Sequence, residues 1–143
     1  MAIDCIFCRI INGELPSFKV YEDDKNLAFL DINPVSPGHT LLIPKIHVAQ
    51  IEDMKLGDAE ALFRILHRIV GGIQNAFEVP ATTIGINNGR ESGQEIPHVH
   101  IHIIPRKQKD RLGIIQNFSM ITKKSNPEEL NNNARKIREK LWS

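Results

Sequence analysis

The residues with the clearest chemical potential are three histidines in the segment 97–106, which reads PHVHIHIIPR. His98, His100 and His102 alternate with apolar residues, and alternate side chains of a strand point to the same face of a sheet. The pattern predicts a strand from His98 to Ile104, with three imidazoles on one face and apolar side chains facing the core. Because a row of imidazoles adds nothing to sheet stability, a chemical role is the favoured interpretation.

Two kinds of chemistry suit this strand, and the residue pattern leaves both open. Histidines two residues apart on a strand can chelate a metal ion, as in hydrolytic zinc sites. Alternatively, one imidazole attacks an electrophile while its neighbours hold the substrate. Two more histidines, His39 after a glycine turn and His47 after a Pro-Lys-Ile segment, are candidates for the same region. His67 falls off the apolar stripe of a predicted helix, so we expect it on the surface.

The two cysteines of the chain, Cys5 and Cys8, form a C-x-x-C motif. In a cytoplasmic protein this spacing indicates metal binding or redox chemistry before a structural disulfide. A thioredoxin-like redox motif should follow a strand and open a helix, and no strand is predicted before this motif. Metal binding is therefore favoured, and it requires two further ligands from elsewhere in the chain.

The elements that must position these residues follow from periodicity and from turn residues. Apolar residues at three- and four-residue steps predict one long helix from Leu56 to Phe77. The predicted apolar stripe consists of Ala59, Leu62, Phe63, Leu66, Ile69, Val70 and Ile73. A polar loop separates the run 82–87 from the histidine strand, which favours antiparallel pairing of the two. The other predicted elements are a short helix over 5–12 that ends at Gly13, short strands over 20–21, 27–31 and 39–43, and a C-terminal helix over 126–142. Together they predict an α+β fold with an antiparallel sheet.

Composition places the chain among ordinary globular domains. The 143 residues are 41% hydrophobic and 24% charged, which excludes collagen-like, low-complexity and disordered classes. With no apolar run near the ~20 residues of a membrane span and no basic secretory signal at the start, we expect a cytoplasmic location. The net charge is +1, but residues 106–143 hold ten basic and four acidic residues, a balance of +6. A solvated helix face explains this excess better than phosphate binding does, with Trp142 packed against the body of the protein or a partner copy.

Four blocks of the sequence resemble the histidine triad (HIT) family: CIFCRIINGELP, AFLDINPVSPGHTLLIPKIH, INNGRESGQE and HVHIHIIPR. They are similar to its nucleotide-binding, Hint-like branch, in the bacterial form with an N-terminal C-x-x-C. The resemblance covers about residues 3–106. It implies a HIT domain over 1–106, a basic C-terminal extension over 107–143 packed on the same domain, and a two-fold homodimer.

The resemblance also implies an activity. Family members bind purine nucleoside monophosphates and cleave their conjugates at the α-phosphate, with no membrane or nucleic-acid partner expected. The nucleophile would be His100, which would form a nucleotidyl-imidazole that water hydrolyses, flanked by His39 and His102. The leading substrates are nucleoside phosphoramidates or acyl nucleotides. The alternatives are dinucleoside polyphosphates, with Arg90 and Arg106 as candidate cations, and a nucleotide-sensing partner protein whose hydrolysis is incidental.

The family's nucleotide pocket carries over residue by residue. Asp31 would bind the ribose hydroxyls, Asn87 would contact the phosphate side, and N–H groups near Gly93 and Gln94 would add phosphate donors. The apolar slot for the base would consist of Phe7, Ile10, Leu15, Phe29 and Ile32. Glu95 stands where eukaryotic Hint proteins have a serine thought to assist the leaving group, which leaves the identity of the leaving-group acid open.

Finally, the resemblance implies a zinc site. In C-x-x-C members of this branch the ligands correspond here to Cys5, Cys8, His47 and His98. Two thiolates and two imidazoles suit a closed tetrahedral site, so the zinc would be structural. It would tie the N-terminal helix to the sheet.

Overall fold

The computed structural model describes residues 4–113 and 124–142. The helices are α1 (Ile6–Ile11), α2 (Leu56–Ala76) and α3 (Pro127–Leu141). The strands are β1 (Lys19–Glu22), β2 (Asn26–Leu30), β3 (Thr40–Pro44), β4 (Ala81–Gly85) and β5 (Ile101–Arg106). Two 3-10 turns cover Ile51–Asp53 and Arg90–Ser92. In the described part of the chain, no helix combines the length and hydrophobicity needed to cross a lipid bilayer.

The five strands form one antiparallel sheet in the order β1-β2-β3-β5-β4. The predicted α+β architecture with an antiparallel sheet and one long helix is confirmed. Because β5 lies between β3 and β4, His102 is in register with Leu41 on one side and with Gly85 on the other. His102 therefore lies inside the sheet, and the residues before it run on beyond the ends of β3 and β4.

Apolar side chains cover both faces of the sheet. One face packs against α2 and α3 in the main core, where Leu42, Ile101 and Ile103 meet Ile69 and Ile73. The opposite face packs against α1 in a second cluster that contains Phe7, Ile10, Leu27, Phe29 and Leu41. Because both faces are covered, every residue of β2 and β3 is buried, and most of these residues are apolar.

The long helix α2 follows its predicted bounds, but its buried stripe differs in detail. Leu62, Ile65, Ile69 and Ile73 face the core, and Ile65 was not part of the predicted stripe. Phe63 belongs to the predicted stripe but is 39% exposed. It lies at the edge of the narrow buried face, whose residues are three or four positions apart. His67 is exposed, as predicted.

The histidine strand begins later than the alternating pattern predicts. β5 starts at Ile101, so His98 and His100 precede it in an extended segment. The N–H of Val99 donates to Val48 O in a loop (2.8 Å), and the N–H of His98 donates to Ile96 O (2.8 Å). These loop bonds replace the sheet ladder, although Val99 still reaches the main core as the alternation requires.

The two terminal helices begin at side-chain caps. The Cys5 thiol accepts from the N–H of Cys8 at the start of α1 (3.4 Å), and Gly13 follows that helix at φ +80°. Asn126 Oδ1 accepts from the N–H of Glu129 at the start of α3 (2.8 Å). A side-chain oxygen in this position satisfies one of the unpaired first-turn amides.

The end of α3 closes on the body of the protein through an aromatic stack. The Trp142 ring lies parallel to the Tyr21 ring, with centroids 6.3 Å apart. The Arg68 guanidinium lies 5.6 Å from the Tyr21 centroid and 5.4 Å from that of Trp142. Trp142 nevertheless stays 64% exposed, so the stack holds the helix end at the surface rather than in the core.

Candidate active site

His100 is held in one tautomer by the main chain. Its Nδ1 lies 2.8 Å from the carbonyl oxygen of His98, and because a carbonyl only accepts, Nδ1 carries the proton. The lone pair is therefore on Nε2. The residue is 7% exposed, and burial lowers its pKa, an effect that the His98 carbonyl and the charge of Glu95 partly offset. A neutral imidazole with a free Nε2 lone pair is a nucleophile at neutral pH.

His39 and His102 form a second ordered pair. The N–H of Val35 donates to His39 Nδ1 (3.1 Å), so the proton of the His39 ring is on Nε2. That N–H donates to His102 Nδ1 (2.9 Å), which leaves the proton of His102 on its own Nε2. The His100 and His102 ring centroids are 5.1 Å apart, so an imidazole with a free Nε2 lone pair and an imidazole with an Nε2–H donor are neighbours.

Burial keeps this pair neutral. Burial, together with a smaller contribution from a neighbouring histidine, lowers the pKa of His39 to about 3 and the pKa of His102 to about 4. At pH 7 both rings are uncharged. His102 therefore contributes a neutral hydrogen-bond donor rather than a cation.

Asp31 lies at the edge of the histidine pair. Its Oδ1 accepts from the N–H of Asn33 (2.9 Å), and its Oδ2 is 3.7 Å from His39 Nε2. Burial raises the pKa of this carboxyl group. The side chain is 21% exposed, so one carboxylate oxygen can reach a bound molecule.

Asp31, His39 and His102 are close enough to surround a metal ion, but their hydrogen bonds oppose it. A ligating imidazole needs an unprotonated nitrogen. The Val35 amide occupies the lone pair of His39 Nδ1, and the proton is consequently on the nitrogen that faces the cluster. The arrangement suits a hydrogen-bonded relay rather than a metal centre.

The four predicted zinc ligands do converge. The donor atoms of Cys5, Cys8, His47 and His98 lie within 4.8 Å of one another. Cys8 Sγ is 3.3 Å from His47 Nδ1, and Cys5 Sγ is 3.5 Å from His98 Nδ1. Burial and the adjacent Cys5 raise the pKa of Cys8 to about 11. Two neighbouring thiolates repel each other, and a cation between them would relieve that repulsion.

The orientation of His98 also fits a metal. Its Nε2–H donates to the Pro44 carbonyl (2.8 Å), which leaves the Nδ1 lone pair facing the cysteines. Imidazole ligands are commonly oriented by such a bond from the second ring nitrogen. His98 thus serves two sites, because its side chain faces the thiols while its carbonyl holds His100.

The five predicted base-slot residues divide into two groups. Phe7, Ile10 and Phe29 are buried in the second apolar cluster, and the Phe7 ring lies 5.1 Å from the His100 ring. Leu15 is half-buried, and Ile32 is 48% exposed. Of these five residues, only Leu15 and Ile32 offer surface to a base, while the other three are buried in that cluster.

The loop before the histidines is closed by its own hydrogen bonds. The Gln94 side chain accepts from the N–H of Gly89 (2.7 Å) and donates to Ala49 O (2.8 Å) and Ile96 O (2.9 Å). The backbone amides predicted as phosphate donors are also engaged, since Gly93 N–H donates to Arg90 O (3.0 Å) and Gln94 N–H to Gly89 O (3.4 Å). A phosphate would receive them only by displacing these bonds.

Two further residues of this loop have different surroundings. Asn87 is half-buried beside Gly93, since a Cβ added to that glycine would lie 3.7 Å from Asn87 Nδ2. Gly93 has φ +101°, a conformation that a side chain would strain. Glu95 is exposed, within electrostatic range of His100.

A carbonyl acceptor for the second N–H of the nucleophilic ring is expected on general grounds, but the sequence does not show which main-chain groups orient the rings. The carbonyls of Pro44 and His98 and the amide of Val35 fix the protons on three imidazoles. Main-chain groups are the same at every position, so residue types give no direct signal for them. The proline- and glycine-rich turn before His39 was the nearest available sign.

Comparisons with known proteins agree on one family. A family model described as the HIT domain matches residues 12–109. The chain is 41% identical over 143 residues to the Hit protein of Bacillus subtilis, covering 99% of this chain and 97% of that one. It is 40% identical over 114 residues to an adenosine 5'-monophosphoramidase of Saccharomyces cerevisiae (78% and 67% covered). It is 45% identical over 109 residues to an adenylylsulfatase of Arabidopsis thaliana (76% and 55% covered).

The fold has solved counterparts. The crystal structure of a zinc-bound histidine triad family protein from Mycobacterium smegmatis superimposes with a TM-score of 0.84. The two chains are 29% identical, and the match covers 99% of this chain and 96% of that one. The likeness therefore extends over the metal cluster and the histidine segment together.

Proposed function

Because the chain belongs to the HIT domain family, we propose that it cleaves purine nucleoside phosphoramidates or acyl nucleotides at the α-phosphate. The observation that carries the proposal is the tautomer of His100, whose Nδ1–H bond to the His98 carbonyl leaves Nε2 free to attack. The relatives named as an adenosine 5'-monophosphoramidase and an adenylylsulfatase support a substrate in which a leaving group is attached to a nucleotide phosphate.

The first step is displacement at phosphorus. The His100 Nε2 lone pair forms a bond to the α-phosphorus, and the bond from phosphorus to the leaving nitrogen or oxygen breaks with its electron pair. A departing amine takes a proton from solvent or from an acid at its side. The ring becomes positively charged, and the His98 carbonyl stabilises it by accepting the Nδ1–H bond more strongly. The Nε2–H of His102 donates to a phosphoryl oxygen.

The second step regenerates the enzyme. Water adds to the phosphorus of the nucleotidyl-imidazole, the bond from phosphorus to Nε2 breaks, and its electron pair returns to His100. The water proton passes to solvent, and the nucleoside monophosphate leaves. Throughout, Asp31 would accept hydrogen bonds from the ribose hydroxyls, and Asn87 would contact the phosphate side. Leu15 and Ile32 would line the base.

The contacts of Arg106 argue against a polyphosphate substrate. Its guanidinium is bound to Asp110 in a bidentate ion pair, so it is not available in this arrangement to neutralise a phosphate chain. Glu91 and Glu95 are exposed near the loop that precedes the histidines, and their charges disfavour an anionic leaving group. We therefore rank amine and acyl leaving groups above a second nucleotide.

We also propose that Cys5, Cys8, His47 and His98 hold a structural zinc ion. The donor set, its convergence and the orientation of His98 all fit tetrahedral zinc. When bound, zinc would neutralise the two thiolates and cross-link α1 to the sheet. A homodimer and a cytoplasmic location remain parts of the proposal.

The test is a panel of adenosine phosphoramidates, acyl adenylates, adenylyl sulfate and dinucleoside polyphosphates, with products identified by mass. We expect AMP and free amine as the fastest products, and an adenylyl group on a peptide that contains His100 after quenching in alkali, because acid cleaves the bond from phosphorus to an imidazole nitrogen. His67→Ala, which alters an exposed histidine, is the matched control. Nucleotide binding without turnover of any member would instead favour a sensing role.

A further inference from the structure

The end of β5 carries a tightly bonded loop outside the reacting atoms. Arg106 Nε lies 2.6 Å from Asp110 Oδ2, and Arg106 Nη2 lies 3.0 Å from Asp110 Oδ1. The guanidinium also donates to Thr83 Oγ1 on β4 (2.8 Å) and to the Gly113 carbonyl (3.0 Å). Because of the ion pair, the pKa of Asp110 lies well below its usual range. The loop is thus fastened to two strands by one arginine.

The backbone of this loop is held against its own preference. Lys109 and Arg111, which flank Asp110, have φ +64° and φ +60°. Side chains other than glycine rarely adopt such angles unless the surroundings impose them. The Asp110 carboxylate supplies that constraint, since it accepts the N–H groups of Lys107 and Leu112 (3.1 Å each).

The constrained loop places Leu112 on the turn that precedes His39. Leu112 packs against Val35 and Ile104, which form a small buried cluster of their own. The same turn is tied to β5 by the Ser36 hydroxyl, which donates to the Pro105 carbonyl (2.8 Å). Val35 is therefore held from its side chain by Leu112 and from its neighbour by the strand.

The amide of Val35 determines which nitrogen of the His39 ring carries the proton. Its N–H donates to His39 Nδ1, and His39 Nε2–H donates in turn to His102 Nδ1. A displacement of Val35 would free His39 Nδ1 to take the proton, and the His102 ring would lose its fixed tautomer. The contacts thus run without a gap from Arg106 to His102.

We propose that Arg106, Asp110 and Leu112 form a positioning clamp that keeps His39 and His102 in their reactive tautomers. None of the three is in contact with the reacting atoms in the proposed mechanism, so they are positioning residues rather than catalytic ones. The kinetic part of this inference rests on the proposed function. The tautomeric part does not, because it concerns the free protein.

The experiment compares Asp110→Ala and Leu112→Ala with Glu22→Gln. Glu22 is also ion-paired, to Lys19 and Lys45 on the β1 side of the sheet, so it controls for the loss of an acidic ion pair. Imidazole nitrogen shifts in 15N-labelled protein report the tautomers of His39 and His102. Steady-state kinetics with an adenosine phosphoramidate separate kcat from KM.

The clamp predicts that both test variants mix the two tautomers of His39, while Glu22→Gln keeps the wild-type spectrum. The kcat should fall about tenfold with KM nearly unchanged, because a misplaced donor weakens the transition state more than binding. Wild-type tautomers in both folded variants would overturn the proposal, whatever the activity. If Asp110→Ala fails to fold, Leu112→Ala and Asp110→Asn give the same two outcomes. A wild-type protein inactive on every substrate would refute the proposed function and leave the spectra to judge the clamp.

Discussion

The histidines have three different proposed tasks, and their hydrogen bonds distinguish them. His98 donates from Nε2 and presents Nδ1 to two thiols, whereas His100 donates from Nδ1 and presents Nε2. His39 accepts a hydrogen bond at Nδ1 and donates one from Nε2 to His102. The position of one proton on each ring therefore decides between a ligand, a nucleophile and a donor.

The first prediction at this scale concerns the nucleophile. His100→Gly should lower kcat by about a thousandfold or more, because the covalent route is lost. AMP should still bind with a Kd of similar order, since the proposed ribose and base contacts remain. Single-turnover assays and calorimetric titration measure the two quantities, with His67→Ala as the control. Equal turnover by wild type and His100→Gly would contradict the mechanism.

A second prediction concerns acid. The pKa of His39 is about 3 and that of His102 about 4 in the folded protein, against 6.5 for an ordinary imidazole. Below pH 6.5 these two histidines bind protons in the unfolded chain but not in the folded one. Their neutral forms therefore contribute fully to the free energy of unfolding above that pH. This contribution is lost as the pH falls from about 6.5 toward 3.

The measurement is the denaturation midpoint between pH 7.5 and pH 5. The zinc ligands also titrate in acid, so wild type is compared with His39→Asn, which keeps the metal cluster. The variant should be less stable at pH 7.5 but should lose less stability on acidification. Parallel curves for the two proteins would show that the buried pair does not contribute to the slope.

At the scale of elements, side-chain patterns predicted the helices well and the histidine strand less well. α2 and α3 have long periodic stripes or a recognisable cap, and both begin and end within a residue or two of the predicted bounds. The alternation around His98 is real, but the sheet ladder starts only at Ile101. Alternation reports which side chains are buried, and it does not report which partner takes the main-chain bonds.

The candidate site shows the same division. Residue types drew attention to the histidines and to the C-x-x-C cysteines. The family resemblance then assigned His39, His100 and His102 to one group and the four metal-cluster residues to another, and the structure brings each group together. The roles of Gly93 and Gln94 could not be read in this way, since their amides are used within the loop. The sequence shows that Arg106 and Asp110 are four residues apart. It does not show that their ion pair supports the turn before His39, because that turn is distant in the chain.

The third prediction concerns α1 and its metal. This helix has only six residues, too few to be stable alone, so the proposed zinc should contribute to its stability. We expect about one zinc per chain in reduced protein, and loss of metal in Cys5→Ser or Cys8→Ser with a Tm about 10 °C lower or more. Elemental analysis and thermal unfolding give these values. Wild-type protein that never contains zinc would refute the site.

At the scale of the whole molecule, α3 crosses the back of the sheet as an arm. Leu130, Ala134 and Ile137 are buried against the main core, and Arg138 donates to the Lys19 carbonyl (2.8 Å). Its far end is held by the stack of Trp142. These contacts favour the role of a structural arm over that of a substrate-selecting lid.

Deletion of residues 126–143 is the fourth prediction. Loss of the buried side chains of α3 should cost roughly 4 kcal/mol of stability, while the ranking of substrates by kcat/KM stays the same. Chemical denaturation and the substrate panel measure the two effects. Trp142→Ala serves as a milder variant that keeps the helix. A changed ranking among leaving groups at nearly full stability would favour a lid.

The fifth prediction concerns a second copy of the chain. β4 is an edge strand with Ile84 exposed, and α2 exposes Leu56 and Phe63. Together with the family resemblance, these residues favour an isologous dimer, the commonest symmetric assembly. Light scattering at micromolar concentration should give twice the chain mass, and Phe63→Glu should shift it toward one. A monomeric wild-type protein would contradict this prediction.

His98 connects the metal cluster to the proposed nucleophile, because its ring faces the thiols while its carbonyl fixes the orientation of His100. If the proposed zinc site and the proposed activity both hold, a partly metal-depleted sample is a mixture of two populations with different intrinsic rates, rather than one enzyme diluted by inactive protein. Pre-steady-state traces of such a sample would contain two phases, whose amplitudes follow the metal stoichiometry. A catalytic constant for this protein would accordingly be meaningful only beside its zinc content.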